Sequence, residues 1–322
     1  MERIVQVDEP MDRMVEAEED LSMTQLDIPR WKEYYNLTKP GLVYGNLLGV
    51  LAGYMLAVKV GGTTLLGSNS LLLFWTFIGI AAVIAGGTTL NNVYDRDIDR
   101  FMERTKTRAI TNGRISPRAG TIFGLSLAII GETILGLAVN ILAAILALVG
   151  LIVYVLIYTA WTKRTTTLNT VIGGISGAMP PLVGYVAVAN QLDITSWTFF
   201  IFMFLWQPAH FLALAMRRCE EYRRVQVPML PVVAGFAMTK RQIFAYTITM
   251  VPVSLLLYFL GSAGWIYLSV AVALGAIYIG MALKGLRHQS HEEDVRWATK
   301  MFRYSIIYLS VIFMTIILDS MF

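Results

Sequence analysis

The feature that most constrains this chain is a series of nine long apolar segments. Each has the length, about 20 mostly apolar residues, that a helix needs to cross the hydrocarbon core of a bilayer. Glycine, proline, asparagine or charged residues separate the segments, which lie at 41–59, 71–94, 119–139, 141–161, 168–189, 197–216, 242–261, 264–283 and 304–320. The pattern predicts an all-α polytopic membrane protein with nine transmembrane helices.

Composition supports the same fold class. Hydrophobic residues make up 56% of the 322 residues and charged residues only 15%, which leaves too little polar surface for a soluble protein of this size. A soluble enzyme, a disordered protein and a nucleic-acid-binding protein are therefore excluded. The single cysteine, Cys219, excludes a disulfide within the chain and a CxxC metal site.

The charged residues orient the predicted helices. Of the 26 lysines and arginines, 25 precede the first segment or follow the second, fourth, sixth or eighth, and Lys59 lies at the opposite side. The positive-inside rule then places the N-terminus and the long loops in the cytoplasm, and an odd number of spans places the C-terminus outside the cytoplasm.

The N-terminal segment differs from the rest of the chain. Residues 1–30 hold nine acidic residues and three arginines, a composition that predicts a disordered tail. An organellar presequence is poor in acidic residues and a secretory signal contains an apolar stretch, so this segment fits neither. We therefore expect a multi-pass protein of a bacterial plasma membrane, with one transmembrane domain over residues 31–322.

A stripe of oxygen ligands ends the second apolar segment. Asn91, Asp95 and Asp99 are spaced four residues apart, which places them on one face of a helix. Carboxylates one turn apart repel each other unless a cation lies between them, and oxygen ligands suit Mg²⁺ bound to substrate phosphates. The spacing predicts a metal–diphosphate site, and a solvated helix end at the membrane surface is an equally open interpretation. Asp97 belongs to another face, where we expect it to pair with neighbouring arginines.

Basic residues follow on the same predicted side of the membrane. The loop after Asp99 contains Arg104 and Arg108, and the next cytoplasmic loop contains Lys163 and Arg164. A third loop contains Arg217, Arg218, Glu220, Glu221, Tyr222, Arg223 and Arg224. Each cation alone is typical of a membrane anchor, and their shared side with the aspartates favours binding of phosphate oxygens.

Two ionisable residues lie deep in apolar segments, Glu132 in the third and His210 in the sixth. Such residues usually face the protein interior or a cavity. His210 is one helical turn from Trp206, and imidazole is a common axial ligand of haem iron. A hydrogen-bonded histidine between packed helices is the alternative interpretation. For Glu132, a structural carboxyl and a proton-handling group remain equally open.

Four blocks of sequence carry a family resemblance. They are Leu37-Thr38-Lys39-Pro40-Gly41 with Asn46, residues 91–108 (NNVYDRDIDRFMERTKTR), residues 158–181 (containing YTAWTKR and GGISGAMPP) and residues 206–231 (containing WQPAHFLALA, EEY and PMLP). In order and spacing they resemble the intramembrane UbiA-type prenyltransferase superfamily, which includes the 4-hydroxybenzoate polyprenyltransferases. The RDID and PMLP blocks resemble its haem branch, the protohaem IX farnesyltransferases or haem O synthases.

The resemblance implies a function for the candidate residues. Nine helices would surround a central cavity that opens toward the cytoplasmic face, and farnesyl would pass from farnesyl diphosphate to a vinyl group of haem B, with addition of water, to give haem O. Asn91, Asp95 and Asp99 would hold Mg²⁺ and act in catalysis with Lys163. The diphosphate would contact Arg104, Arg108, Lys163, Arg164 and Glu221, and haem B, a substrate rather than a cofactor, would contact Trp206 and His210.

The sequence also departs from the family pattern. Glu221 stands where the haem branch usually has aspartate, which puts a second metal in doubt because Glu221 could instead position a basic side chain. Ala109 and Ala209 replace prolines that are usual in that branch. We expect the lipid bilayer and other membrane enzymes of haem synthesis as partners, and no nucleic acid. Two alternative functions are open from the sequence: a prenyltransferase of the same fold acting on an aromatic quinone precursor, and a transporter with a Glu132–His210 proton relay.

Overall fold

The computed structural model of this chain describes residues 28–65, 68–287 and 290–321. Most of the predicted acidic tail lies outside these residues. The described part is helical and contains no strand. Within it, nine helices are long and apolar enough to cross a membrane: α1 (Pro40–Val60), α2 (Asn69–Tyr94), α3 (Pro117–Val139), α4 (Ile141–Thr165), α5 (Asn169–Ala189), α6 (Ile194–Arg217), α7 (Gly235–Phe259), α8 (Trp265–Gly285) and α9 (His291–Asp319).

The number of membrane helices predicted from the apolar segments is confirmed in the described residues, but two helices begin earlier than predicted. Helix α7 begins at Gly235 rather than 242, and α9 begins at His291 rather than 304. Hydropathy marks where a helix enters apolar surroundings, and these first turns carry charged side chains. The two extensions are joined by a buried pair in which Lys240 Nζ lies 2.7 Å from Asp294 Oδ1.

Four of the helices form a closed ring of contacts in the order α1, α5, α6 and α9. Helix α1 packs on α5, α6 packs on α5, α7 and α9, and α9 packs on both α8 and α1. Helices α1, α5 and α6 are the most buried of the nine. Large apolar side chains on the outer helices are exposed, with Leu137 of α3 86% accessible, as expected for surfaces that face lipid tails.

Helices α1 and α5 touch through their backbones. A Cβ atom added at Gly53 would lie 2.0 Å from the carbonyl oxygen of Pro181, and one added at Gly184 would lie 2.1 Å from that of Val50. Only glycine can occupy these two positions without moving the helices apart. The contact fixes the position of α1, whose first turn borders the candidate site.

The second half of α4 is not an ordinary α-helix. Its residues Val153–Thr162 are π-helical, with i→i+5 hydrogen bonds, and end directly before Lys163. Helices of this kind are rare and are frequent at functional sites. The segment therefore delivers Lys163 to the end of the bundle in a register that an α-helix would not give.

Candidate active site

The aspartate stripe lies at the junction between α2 and a short helix, Arg96–Asp99. Helix α2 ends at Tyr94, but the backbone N–H of Asp95 donates to Asn91 O, and that of Asp99 donates to Asp95 O, both at 2.9 Å. The turn-by-turn spacing therefore continues through the junction. Asn91, Asp95 and Asp99 are 4%, 2% and 3% exposed, so the three polar side chains are buried together.

Asp95 is the centre of this group. Its Oδ2 accepts a 2.8 Å hydrogen bond from Asn91 Nδ2 and forms an ion pair with Lys163 Nζ. The guanidinium of Arg164 lies 3.6 Å from its other oxygen, Oδ1. Within the described residues, Oδ1 is buried and accepts no hydrogen bond. A buried carboxylate oxygen without a donor is the kind of atom that a metal ion would satisfy.

The loop after the short helix folds back over Asp99. The Asp99 side chain forms an ion pair with Arg108, and Thr105 Oγ1 donates to the Asp99 carbonyl oxygen at 3.0 Å. Two cations from different loops, Lys163 and Arg108, thus neutralise the two buried aspartates. This explains how carboxylates one turn apart are accommodated in this structure.

Asp97 lies on another face, as the spacing predicted. It is exposed and accepts two hydrogen bonds from Arg164, at 2.6 and 2.7 Å, instead of pairing with an arginine of its own loop. The hydrogen bonds from Arg164 lower the pKa of Asp97. Arg164 also lies over the ring of Tyr94, 4.9 Å from its centroid. It therefore borders the site while its guanidinium is hydrogen-bonded to Asp97.

Lys39, which the sequence places in a family block without a role, is a residue of this site. Its Nζ donates to Asn91 Oδ1 at 2.6 Å, from the position just before α1. Its backbone is left-handed, with φ 50° and ψ 63°, which is uncommon for a residue with a Cβ atom. Burial of the ammonium group and the nearby Arg108 lower the pKa of Lys39 to about 7. A lysine directly before the proline that starts α1 was the available signal.

The loop between α6 and α7 completes the cluster. Burial raises the pKa of Tyr222 in this loop, and Tyr222 interacts electrostatically with Lys163. Burial, together with Arg108 and with Arg218 of the same loop as Tyr222, lowers the pKa of Arg104, which lies in the loop after Asp99. Glu221 Oε2 lies 3.8 Å from Arg218 Nη1 and makes no hydrogen bond within the described residues. Glu221 thus contacts a basic side chain, one of the two roles open to it from sequence.

Cations outnumber carboxylates in this cluster. Six basic side chains (Lys39, Arg104, Arg108, Lys163, Arg164 and Arg218) meet four acidic ones (Asp95, Asp97, Asp99 and Glu221). The lowered pKa values of Lys39 and Arg104 reflect mutual repulsion as well as burial. Such a group is stabilised by an anion with several oxygen atoms, and a diphosphate has that chemistry.

The donor set also fits one kind of metal. In the part of the chain that the structure describes, no three His, Cys, Asp or Glu side chains surround a common metal position. Mg²⁺ does not need such a cage, because it is commonly held by one or two carboxylates together with water and substrate phosphates. Asn91, Asp95 with its unpartnered Oδ1, and Asp99 supply oxygen ligands of this type.

The predicted haem residues lie elsewhere on α6. His210 is eight residues before Arg218, about 12 Å along a helix. Its ring stacks between those of Trp206 and Phe302, with centroids 4.4 and 4.7 Å away. Glu132 of α3 is partly buried, and its Oε1 has no hydrogen-bond partner within the described residues.

A comparison with known families decides what kind of protein carries this site. Residues 46–306 match the model of the UbiA prenyltransferase family. This chain belongs to the UbiA prenyltransferase family. It is therefore a membrane prenyltransferase, and family membership does not favour the transporter interpretation of Glu132 and His210.

Close relatives within the UbiA family are bacterial. The chain is 45% identical over 305 residues to the protoheme IX farnesyltransferase of Alkalihalophilus pseudofirmus, covering 95% of each chain. It is 46% identical to the protein of the same name from Exiguobacterium sibiricum, covering 94% of this chain and 97% of the relative. The resemblance to the haem branch of the family is thereby confirmed.

Solved structures of UbiA proteins share the fold. A digeranylgeranylglyceryl phosphate synthase superposes with a TM-score of 0.75 at 20% identity, over 90% of this chain and 98% of the other. A UbiA homologue from Archaeoglobus fulgidus, solved with GPP and Mg²⁺ bound, superposes with a TM-score of 0.58 at 16% identity, over 88% and 99% of the two chains. These neighbours confirm the all-helical UbiA fold.

Proposed function

We propose that this UbiA protein transfers the farnesyl group of farnesyl diphosphate to a vinyl group of haem B, with addition of water, giving haem O and diphosphate. The observation that carries the proposal is its 45–46% identity, over nearly the whole chain, to enzymes named protoheme IX farnesyltransferase. The excess of cations around the buried aspartates supports binding of a diphosphate substrate.

The polar cluster divides into two kinds of ligand for that substrate. Asn91, Asp95 and Asp99 would hold Mg²⁺, which supplies positive charge to the diphosphate as it leaves. Arg104, Arg108, Lys163, Arg164 and Glu221, with Lys39 added from the structure, would surround the diphosphate. Lys163 and Arg108 pair with the aspartates, so both cations are held at the site where a phosphate oxygen would bind.

The proposed reaction needs stabilisation of the negative charge on the leaving diphosphate and exclusion of water from the allylic carbocation. The C–O bond of farnesyl diphosphate breaks with its electron pair on the diphosphate, where Lys163 and Arg108 stabilise the developing negative charge. The vinyl π electrons form the new C–C bond with the allylic carbon. Water then adds to the carbocation next to the porphyrin ring and releases one proton to solvent. Apolar walls must keep water away until the C–C bond has formed, and a central cavity is the expected place.

The haem would lie against α6. We expect His210 to bind the iron and Trp206 to contact the porphyrin. Their rings stack on each other and are buried on the face of α6 that packs on α9. Imidazole is the commonest protein ligand of haem iron. Neighbouring membrane enzymes of haem synthesis, as sources of the substrate and consumers of the product, remain an expectation from sequence.

The proposed function is tested with purified protein in detergent, haem B, farnesyl diphosphate and Mg²⁺. We expect mass spectrometry to detect the farnesylated, hydrated haem, and EDTA to abolish it. Asp95→Asn and Asp99→Asn should lose turnover while remaining folded. Asp97→Asn is the matched control, because Asp97 lies between them but is 52% exposed and faces Arg164.

Two results would contradict parts of this proposal. Full activity in Asp95→Asn and Asp99→Asn would reject the metal and diphosphate roles. Diphosphate release with an aromatic acceptor, and none with haem B, would reject the acceptor and keep the prenyltransferase. An aromatic quinone precursor is then the substrate class to examine.

We further propose a bacterial plasma membrane location, with the N-terminus and the candidate site cytoplasmic and the C-terminus outside. The distribution of lysine and arginine supports this orientation. In a Cys219→Ser background, an impermeant maleimide added to intact cells should label Thr63→Cys and not Glu103→Cys. Both positions are exposed; Thr63 lies between α1 and α2, and Glu103 lies beyond the other end of α2. The reverse pattern would invert the topology.

A further inference from the structure

Ser305 of α9 contacts both predicted haem residues of α6. Trp206 Nε1 donates to the backbone oxygen of Ser305 at 3.0 Å, and His210 Nδ1 lies 2.6 Å from Ser305 Oγ. All three residues are buried, and Ser305 is fully so. One residue of a neighbouring helix therefore holds the Trp206–His210 pair through its main chain and its side chain at once.

The hydrogen bonds of Ser305 determine where the His210 proton lies. Ser305 Oγ is also 2.7 Å from the carbonyl oxygen of Phe302, which can only accept. The serine hydroxyl has one proton, and without it between them these two oxygens would repel each other. Ser305 therefore donates to Phe302 O and accepts from His210 Nδ1–H.

The consequence concerns the other ring nitrogen. A neutral imidazole carries one proton, and a charged imidazolium would be costly in this buried position between aromatic rings. With the proton on Nδ1, Nε2 keeps its electron pair, and it has no hydrogen-bond partner within the described residues. Stacking between Trp206 and Phe302 fixes the plane of the ring.

We infer that Ser305 is a positioning residue: it holds His210 in the Nδ1–H tautomer so that Nε2 presents an electron pair to the iron of the substrate haem. The inference rests on the proposed function, since it takes haem as the ligand of His210. Hydrogen bonds of this type orient metal-binding histidines in general, and their removal typically lowers metal affinity by about 10–100-fold.

The tautomer can be measured without haem. The chain has three histidines, so a His288→Gln, His291→Gln variant leaves His210 as the sole ¹⁵N-histidine signal. The protein is purified without a polyhistidine tag. We expect NMR to show a protonated Nδ1 and an unprotonated Nε2, unchanged in Ser305→Thr and mixed in Ser305→Ala. A protonated Nε2 in the protein with Ser305 intact would overturn the inference.

Haem binding gives a second readout. Haem B is titrated into the full chain in detergent and followed at the Soret band. We expect Ser305→Ala to bind about 10–100-fold more weakly and to shift toward the spectrum of His210→Ala, and Ser305→Thr to restore both.

Ser254→Ala is the matched control for this titration. Ser254 is an equally buried serine that donates to Val251 O at 2.6 Å and lies 3.4 Å from the Tyr308 hydroxyl, without contacting His210. Unchanged binding in Ser305→Ala, or an equal loss in Ser254→Ala, would overturn the inference.

Product analysis separates this inference from the proposed function. Haem O formation together with identical Soret bands for the unmodified protein and His210→Ala would overturn the positioning of an iron ligand and leave the farnesyl transfer intact. Absence of farnesylated haem, with the expected tautomer and a Soret band that depends on His210 and Ser305, would overturn the transfer and support the role of Ser305 in binding haem.

Discussion

The ion pair between Asp95 and Lys163 allows a quantitative test of the site. Asp95 is 2% exposed, and the Lys163 side chain is 15% exposed. Lys163→Met keeps the length of the side chain and removes its charge. The buried carboxylate then retains the Asn91 amide at 2.8 Å and the Arg164 guanidinium at 3.6 Å, and it still interacts electrostatically with Lys39.

The expected cost follows from burial. Removing one partner of a buried ion pair typically destabilises a protein by about 3–5 kcal/mol. Because Arg164 remains near Asp95, we expect the lower end, about 3 kcal/mol for Lys163→Met. Lys106→Met is the control: it breaks a pair in which the side chains of Lys106 and Glu103 are 50% and 75% exposed, and exposed pairs contribute less than about 1 kcal/mol.

Cys219 provides the assay for this comparison. It is the only cysteine, it is 3% exposed, and burial raises the pKa of its thiol, so a thiol-reactive fluorophore reports unfolding. At roughly 2 °C per kcal/mol, we expect Lys163→Met to lower the Tm by about 6 °C and Lys106→Met by less than about 2 °C. Equal shifts, or a larger shift in Lys106→Met, would refute the argument that Lys163 compensates a buried charge.

Three further predictions concern other parts of the bundle. Gly53→Ala should destabilise the protein by about 3 kcal/mol or more, since the new Cβ would lie 2.0 Å from Pro181 O, whereas Gly45→Ala on the same helix meets no atom within 4 Å and should be neutral or stabilising in the same thermal assay. Lys39→Met should raise the KM for farnesyl diphosphate about 10–100-fold, the loss expected for a hydrogen bond between charged groups, and an unchanged KM would place Lys39 outside the substrate site. Lys59→Met breaks the 2.8 Å pair with Asp319 at the opposite end and should lower the Tm while leaving that KM unchanged; a raised KM would mean that this end also shapes the site.

The fold could be predicted from sequence because the bilayer sets the length of each apolar segment. The starts of α7 and α9 could not, because their first turns carry charged residues such as Lys240 and Asp294 that pair with each other only after packing.

The same division holds for the candidate site. The four-residue spacing of Asn91, Asp95 and Asp99 predicted a shared face, since that relation is local. The pairing of Asp95 with Lys163, 68 residues away, depends on how α2 and α4 pack. Lys39 and Ser305 lacked a pattern, because one is a single cation before a proline and the other a serine in an apolar helix.

The π-helical half of α4 makes chain length itself a determinant of the site. Because i→i+5 bonding accommodates about one more residue in each turn, Val153–Thr162 reach Lys163 in fewer turns than ten α-helical residues would. Loss of a single residue, with the bonding pattern unchanged, would remove one residue's rotation, about 100° in an α-helix and less in a π-helix, and turn Lys163 away from Asp95. A scan of single substitutions keeps the number of residues constant and would miss this contribution. Deletions and compensating insertions along α4 would reveal it.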